Sequence, residues 1–207
     1  MSQTERHKRL RLLLKKHNKQ RKQQSKQIDI LCNDMIGAQR EFIRRLDNVG
    51  FAARFYKHLL GATDLYTLLT RAGGLIAEEL PGTNVAFFLR RPERCQMHTS
   101  ASDHAIGADD LHVEDWFSPE VVDAICKQNR PCTMDDLVGF GFAVHATTRH
   151  EASMATVPLS DLGRSLGFVL VYRRGPLPIS ARELERVGLI TCGLSRAVQG
   201  CRMPLHA

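Results

Sequence analysis

Two apolar runs, at residues 154–159 and 166–172, flank a polar break at residues 160–165 that contains Asp161 and Gly163. Apolar runs around a short turn predict two antiparallel strands joined as a hairpin. With the two-residue period of a strand, Leu166 is predicted to share a face with Phe168, and Gly167 to lie on the opposite face. Because neither face is polar, we expect the hairpin to lie centrally in a sheet that is covered on both sides.

A proline-free stretch from about residue 4 to residue 60 predicts a long helix. From residue 28 onward, positions at alternating steps of three and four are apolar at most places, with Arg45 an exception, which predicts a coiled coil and a parallel homodimer. A helix packed on its own domain is the alternative, and each interpretation can hold in a different part. The pattern leaves open whether the helix continues through Gly50. The predicted dimer seam is Ile28, Leu31, Met35, Ala38, Phe42, Val49, Ala52, Tyr56 and Leu59.

Shorter patterns predict the remaining elements. A helix capped by Thr63 or Asp64 runs to about residue 80, and strands follow at residues 84–90 and 94–100. A short helix at 118–128 and a short strand at 131–134 come next. Ser180 and Glu183 form a capping box that begins the last helix. Residues 101–117 and 135–151 have no clear period and are predicted to be loops, and residues 201–207 a loose tail.

Charge is concentrated at the N-terminus. The 207-residue chain has a net charge of +7, and residues 1–26 hold ten Lys and Arg against a single acid, Glu5. Such an arm suits a polyanion, either nucleic acid or anionic lipid, or an acidic protein surface. A solvated, frayed helix start is the favoured interpretation. The longest apolar runs fall far short of the roughly 20 residues that cross a bilayer, so we expect no transmembrane segment and a cytoplasmic protein.

The six cysteines form no CxxC pair and have no metal-ligand spacing. In the cytoplasm, reduced and mostly buried thiols are expected. His104, His112, His145 and His150, with Asp103, Asp109 and Asp110, lack a fixed short spacing, which favours a polar loop over a metal site. No metal site is therefore predicted.

Three stretches, at residues 63–86, 119–137 and 155–194, resemble the GAF domain family in sequence and order. The middle stretch is similar to the family's helix, arginine-proline, strand and paired aspartates. The resemblance implies an α+β fold with a central antiparallel sheet of about five to six strands and helices packed on it. It divides the chain into a basic arm and long helix at 1–60, a GAF-like domain at 61–200 and a tail at 201–207.

The resemblance also implies that one face of the sheet, closed by residues 101–151, can enclose a small molecule. For every residue of this candidate pocket, simple hydrophobic packing is the favoured interpretation. The Asn-Lys…Phe…Asp-Glu signature of cyclic-nucleotide-binding members and the Cys-His pair of bilin-binding members are both missing from the sequence. The cofactor or ligand therefore stays unknown. The candidate lining is Phe88, Met97, His98, Trp116, Phe117, Phe140, Phe142 and Thr156.

Three functions remain. The first is a non-enzymatic sensory or regulatory module that dimerises through its helix and acts on a partner protein in trans. The second is a thiol-dependent enzyme like the methionine sulfoxide reductases of this fold, using Cys95, Cys126 and Cys132. The third is a nucleic-acid-associated regulator that uses the basic arm. The coiled coil has a use in the first and third hypotheses only, and we expect no catalytic residue.

Overall fold

The β4–β5 hairpin lies at the centre of the sheet. The computed structural model describes residues 3–90, 95–99, 116–142, 152–175 and 177–202. In these residues the strands are β1 (Asn84–Arg90), β2 (Cys95–Thr99), β3 (Cys132–Thr133), β4 (Ala152–Asp161) and β5 (Arg164–Arg174). All pairs are antiparallel, in the order β2-β1-β5-β4-β3. This confirms the α+β class and the central antiparallel sheet.

Helices cover both faces. They are α1 (Gln3–Leu59), α2 (Leu65–Glu79), α3 (Pro119–Gln128), α4 (Met134–Gly139) and a last helix, α5 (Ala181–Arg202). On one face, α2, α5 and the end of α1 bury a first cluster with Val169 and Val171 of β5. On the other face, α3 and α4 bury a second cluster with Phe168 and Leu170. The predicted two-sided cover of the hairpin is therefore confirmed.

A tight turn joins β4 to β5 at Leu162 and Gly163, which both have positive φ. Two such central residues define a type I′ turn, whose twist matches that of the flanking strands. Close to the turn the register shifts, so that Leu159 faces Gly167 while Ser160 faces Ser165. Leu166 is the extra residue of this bulge. Its side chain joins the first cluster, whereas Phe168 joins the second, so the shared face predicted for these two residues is wrong.

Gly167 is required by the close approach of β1. A Cβ atom at this position would lie 1.8 Å from the carbonyl oxygen of Phe88. Its φ of 139° also lies in a region that side chains rarely adopt. The pair β1–β5 can therefore close only over a glycine at this position.

The helix starts follow local sequence signals. The Asp64 carboxylate accepts a hydrogen bond from the Thr67 amide at 2.8 Å, which caps α2. The Ser118 hydroxyl accepts one from Val121 at the start of α3. Before α5, the Ser180 amide donates to Glu183 at 2.7 Å and the Glu183 amide donates back to the Ser180 hydroxyl. This confirms the predicted capping box.

Helix α1 continues through Gly50 without a break. Contacts divide the chain into two units, residues 1–49 and 50–207. In the second unit the buried residues of α1 are Phe51, Phe55 and Leu59, at four-residue steps. The heptad pattern selected Leu59 but missed both phenylalanines, and it assigned Ala52 and Tyr56 to the dimer seam. These two are half-buried against the domain's own first cluster, so residues 52–59 pack on the domain.

Three further expectations need correction. Residues 135–139, predicted as part of a loop, and Met134, predicted as the end of a strand, form helix α4, because Thr133 and Asp136 make a capping box there. Of the six cysteines only Cys126 and Cys132 are buried, while Cys32 and Cys192 are exposed. Residues 201 and 202, predicted to belong to a loose tail, are the last residues of α5; residues 203–207 lie outside the described residues.

Tyr56 attaches the end of α1 to α5. Its hydroxyl donates to the carbonyl oxygens of Leu189 and Ile190, at 3.4 and 3.2 Å. The ring occupies the space beside Gly193, where an added Cβ would lie 2.4 Å from Tyr56 Cε1. Around the same contact, Arg186 stacks over the Phe51 ring at 5.4 Å. The absence of a side chain at Gly193 thus leaves the space on α5 that the Tyr56 ring occupies.

We predict that Gly193→Ala destabilises the domain by about 1–2 kcal/mol, because the added methyl group displaces the Tyr56 ring from its hydrogen bonds. Gly188→Ala, in the same helix and with nothing within 4 Å of the added Cβ, should instead be neutral or stabilise by up to about 1 kcal/mol. Urea unfolding measures both. In a Tyr56→Ala background the cost of Gly193→Ala should disappear; an equal cost in both backgrounds would contradict the contact.

Candidate functional site

Aromatic side chains form the centre of the second cluster, on the face where the pocket was predicted. Phe88 stacks on Phe168, with ring centroids 4.7 Å apart and an angle of 13° between the rings. Phe117 lies 4.8 Å from Phe88 and 4.9 Å from Phe142, and Trp116 meets Phe142 edge-on at 6.0 Å. Tilted and offset contacts of this kind are favourable beyond the area they bury.

Most of the predicted pocket residues come together here. Phe88, Phe117 and Phe142 are buried in the second cluster, with Met97, Trp116 and Phe140 packed against it. Thr156 is fully buried on the same face, since it pairs with Leu170. These side chains contact one another as a core does. Whether they also line a ligand site stays a prediction, because residues 100–115 and 143–151, expected to close this face, lie outside the described residues.

His98 is placed apart from the others. It pairs across β1–β2 with Phe87, whose side chain lies in the first cluster. Directly opposed residues of an antiparallel pair share a face. The register therefore puts His98 on the face covered by α2 and α5, while its neighbour Met97 faces the aromatic residues.

The pattern missed one residue that is central to this face, Phe168. It is fully buried and contacts both Phe88 and Phe117. Its two-residue period with Leu170 and Tyr172 was visible in the sequence, and all three belong to the second cluster. Applying the two-residue period of β5 when the pocket residues were chosen would have identified Phe168.

Three thiol groups lie on the same face, those of Cys95 and Cys132 on the two edge strands and that of Cys126 on α3. Burial, together with a smaller effect of the nearby Cys126 thiol, raises the pKa of Cys95 to about 11. Burial also raises the pKa values of Cys126 and Cys132, and it outweighs the lowering effect of the nearby hydroxyl groups of Ser165 and Thr156. The Cys132 thiol donates to the Arg130 carbonyl oxygen at 3.4 Å. These thiols are therefore held protonated, whereas a nucleophilic thiol needs a lowered pKa.

The arginine-proline and paired-aspartate segment has a structural role. Arg130 Nη2 lies 2.7 Å from Asp136 Oδ1. The other carboxylate oxygen accepts from the Thr133 amide at 2.9 Å and from the Thr133 hydroxyl at 3.1 Å. The bond from Arg130, followed by that from the Thr133 amide, lowers the pKa of Asp136 to about 2. Together these contacts join the end of α3, strand β3 and the start of α4.

Among the residues that the structure describes, no group of three or more His, Cys, Asp or Glu side chains is placed to hold a metal ion. The histidines and aspartates considered for a metal site, at 103–112 and 145–150, fall outside that part of the chain. In the same described residues, no helix combines the length and apolar character needed to span a membrane.

The first unit presents a second candidate site. Seam residues from Ile28 to Val49 are exposed along α1, with Leu31 63%, Met35 74% and Phe42 61% accessible. Ile30, Ile36, Ile43 and Leu46 are exposed as well. So large a set of accessible apolar side chains is typical of an interaction surface.

Solved structures with the same fold are GAF domains and related proteins. The GAF domain of a phosphoenolpyruvate-protein phosphotransferase from Coxiella burnetii has 13% identity and a TM-score of 0.57, over 76% of this chain and 95% of that one. The corresponding Acinetobacter domain has 10% identity and a TM-score of 0.54, over 74% and 93%. Free methionine-R-sulfoxide reductase from Neisseria meningitidis has 14% identity and a TM-score of 0.54, over 75% and 90%.

No protein-family model and no curated protein matches the sequence. At 10–14% identity the structural matches define the fold. The chain therefore contains a GAF-like domain, preceded by a long N-terminal helix. The same fold carries both a phosphotransferase's GAF domain and an enzyme, so the fold leaves the function to be argued from the residues.

We predict that Asp136→Asn removes a stability change at acidic pH. A carboxylate whose pKa is lowered on folding stabilises the native state above its unfolded pKa of about 3.9, and this is lost as pH falls through the folded value. In the wild type the loss falls between about pH 4 and pH 2, given the folded pKa of about 2. Urea unfolding across this range should show a weaker dependence for Asp136→Asn than for the exposed neighbour Asp135→Asn. Identical profiles would contradict this prediction.

Proposed function

We propose that the protein is a non-enzymatic sensory or regulatory module, which dimerises through residues 28–49 of α1 and acts on a partner protein in trans. The observation that carries the proposal is the exposed apolar seam on a helix whose last turns belong to the core of a GAF-like domain. A helix in a protein gains most of its stability from packing its apolar face against a partner. A second copy of the same helix, in register, supplies that packing.

The described length of the seam suits a dimer of this type. Residues 28–49 contain three heptads, and Ile28, Met35, Phe42 and Val49 occupy one seam position in successive repeats. Three to four heptads are the length at which such a pattern indicates a coiled coil. Residues 52–59, which the pattern also assigned to the seam, are left out of this proposal, because they pack on the domain.

We predict that the wild type is a dimer at tens of micromolar, the range in which a complex with a micromolar Kd forms. Leu31→Glu with Phe42→Glu should yield a monomer, since it places like charges in the seam. The control is Asn33→Glu with Arg40→Gln, on the opposite side of the same helix, which changes the net charge by the same amount and should remain dimeric. Sedimentation equilibrium reports the masses. A monomeric wild type, or dissociation of the control alone, would refute dimerisation through this seam.

The competing function is that of a thiol-dependent enzyme. One of the structurally similar proteins, free methionine-R-sulfoxide reductase, is an enzyme. The cysteines on the face of the second cluster argue against an enzyme, because burial raises the pKa values of Cys95, Cys126 and Cys132. Catalytic thiols need the thiolate at neutral pH, together with access for a substrate and a resolving partner. We therefore propose that these cysteines pack as small apolar groups.

We predict that alkylation at pH 8 modifies Cys32 and Cys192, which are exposed, well before the cysteines of the second face. For Cys95, the rise from 9.0 to about 11 lowers the thiolate fraction about a hundredfold relative to an ordinary thiol. Mass spectrometry of peptides after timed iodoacetamide treatment measures these rates. Reduction of free methionine sulfoxide by the wild type, and its loss in Cys126→Ser or Cys132→Ser, would establish the enzyme instead.

A further inference from the structure

Six cations follow one line along the first turns of α1. They succeed one another at steps of three or four residues, which places them on a single side of the helix. The sequence contains no acidic residue from residue 6 to residue 28. The side chains of this cationic stripe are all exposed: Lys8, Arg11, Lys15, Lys19, Lys22 and Lys26.

The apolar side chains of this segment lie mainly on the other side. Leu10, Leu13 and Leu14 are 60%, 64% and 55% accessible, and the same side continues with His17, Gln20 and Gln24. A helix that lies on a membrane inserts an extended apolar face, often with Trp or Phe, and keeps its cations near the headgroups. In this helix only one turn of leucines would insert into the membrane. The cationic stripe would then point away from the lipid headgroups. This arrangement disfavours a lipid partner.

The stripe matches a DNA duplex in size and charge. From Lys8 to Lys26 it extends about 27 Å, at 1.5 Å per residue. A helix with its side chains is about 10–12 Å wide, and the major groove of B-DNA is about 12 Å wide, with a row of phosphates along each edge. The major groove of duplex RNA is too narrow to admit a helix. Single strands are held largely by stacking on aromatic rings, and residues 1–26 contain none.

We propose that residues 8–26 bind double-stranded DNA through its phosphates, using the cationic stripe, without preference for a base sequence. The lysines act as charges that replace condensed counterions, so affinity depends steeply on salt. Stripe residues matter more than other cations of the same segment, because they lie on one side of the helix and can face the same row of phosphates together. The proposal does not depend on dimerisation through residues 28–49.

The test compares two triple variants of the full chain with equal loss of charge. One replaces Arg11, Lys15 and Lys19 of the stripe by Gln; the other replaces Arg6, Lys16 and Arg21, which lie off it. Gln keeps a helix propensity close to that of Lys and Arg, and circular dichroism checks the helix content. The probe is a labelled mixed-sequence DNA duplex of about 30 base pairs, about three helical turns, and fluorescence anisotropy is followed as a function of salt.

We expect the stripe variant to bind at least about tenfold more weakly at about 0.1 M salt, with a salt slope smaller by about 2–3. The DNA affinity of the off-stripe variant should stay within about twofold of that of the wild type. If only the net charge mattered, the two variants would lose affinity equally. Equal losses in the two variants would overturn the proposal. So would absent binding at low salt, or equal or tighter binding to duplex RNA, single-stranded DNA, phosphatidylserine vesicles or polyglutamate.

Discussion

Burial of the β4–β5 hairpin from both sides is the constraint on which the rest of the domain depends. Four successive residues of β5, Phe168 to Val171, are completely inaccessible, and their alternation sends each pair to a different cluster. Burying an apolar side chain of this size contributes about 1.5–3 kcal/mol. Neither helical layer can be lost without exposing half of this strand, so α2 and α5 on one side and α3 and α4 on the other are parts of one cooperative domain.

Helix α1 has two kinds of apolar surface, and the domain uses only one. Phe51, Phe55 and Leu59 enter the first cluster, and Tyr56 adds hydrogen bonds to α5. The ion pairs of Glu79 with Arg186, at 2.6 Å, and with Arg54, at 3.6 Å, surround this contact. Farther along the chain toward the N-terminus, the seam and the cationic stripe stay exposed. The two proposals, for a second copy and for DNA, assign a partner to each of these surfaces.

The polar and thiol groups on the face of the second cluster have structural roles. Asp136 caps α4 and pairs with Arg130, and the thiols of Cys126 and Cys132 are buried beside hydroxyl groups. A site for acid–base or nucleophilic work holds groups whose pKa values are moved toward the working pH. Here the carboxyl pKa moves down and the thiol pKa values move up, away from it, which favours a regulatory module over an enzyme.

Local order was determined by the sequence alone: the two-residue period of the hairpin, the caps at Asp64, Ser118 and Ser180, and the long helix all depend on neighbours within a few positions. Part of the candidate face was also predictable, because the two-residue period of β5 groups Phe168 with Leu170 and Tyr172. Tertiary structure decided the rest. The bulge moved Leu166, the β1–β2 register placed His98, and packing chose Phe51 and Phe55 over the heptad positions. In each case several local arrangements satisfy the same pattern, and only the distant partner strand or helix distinguishes them.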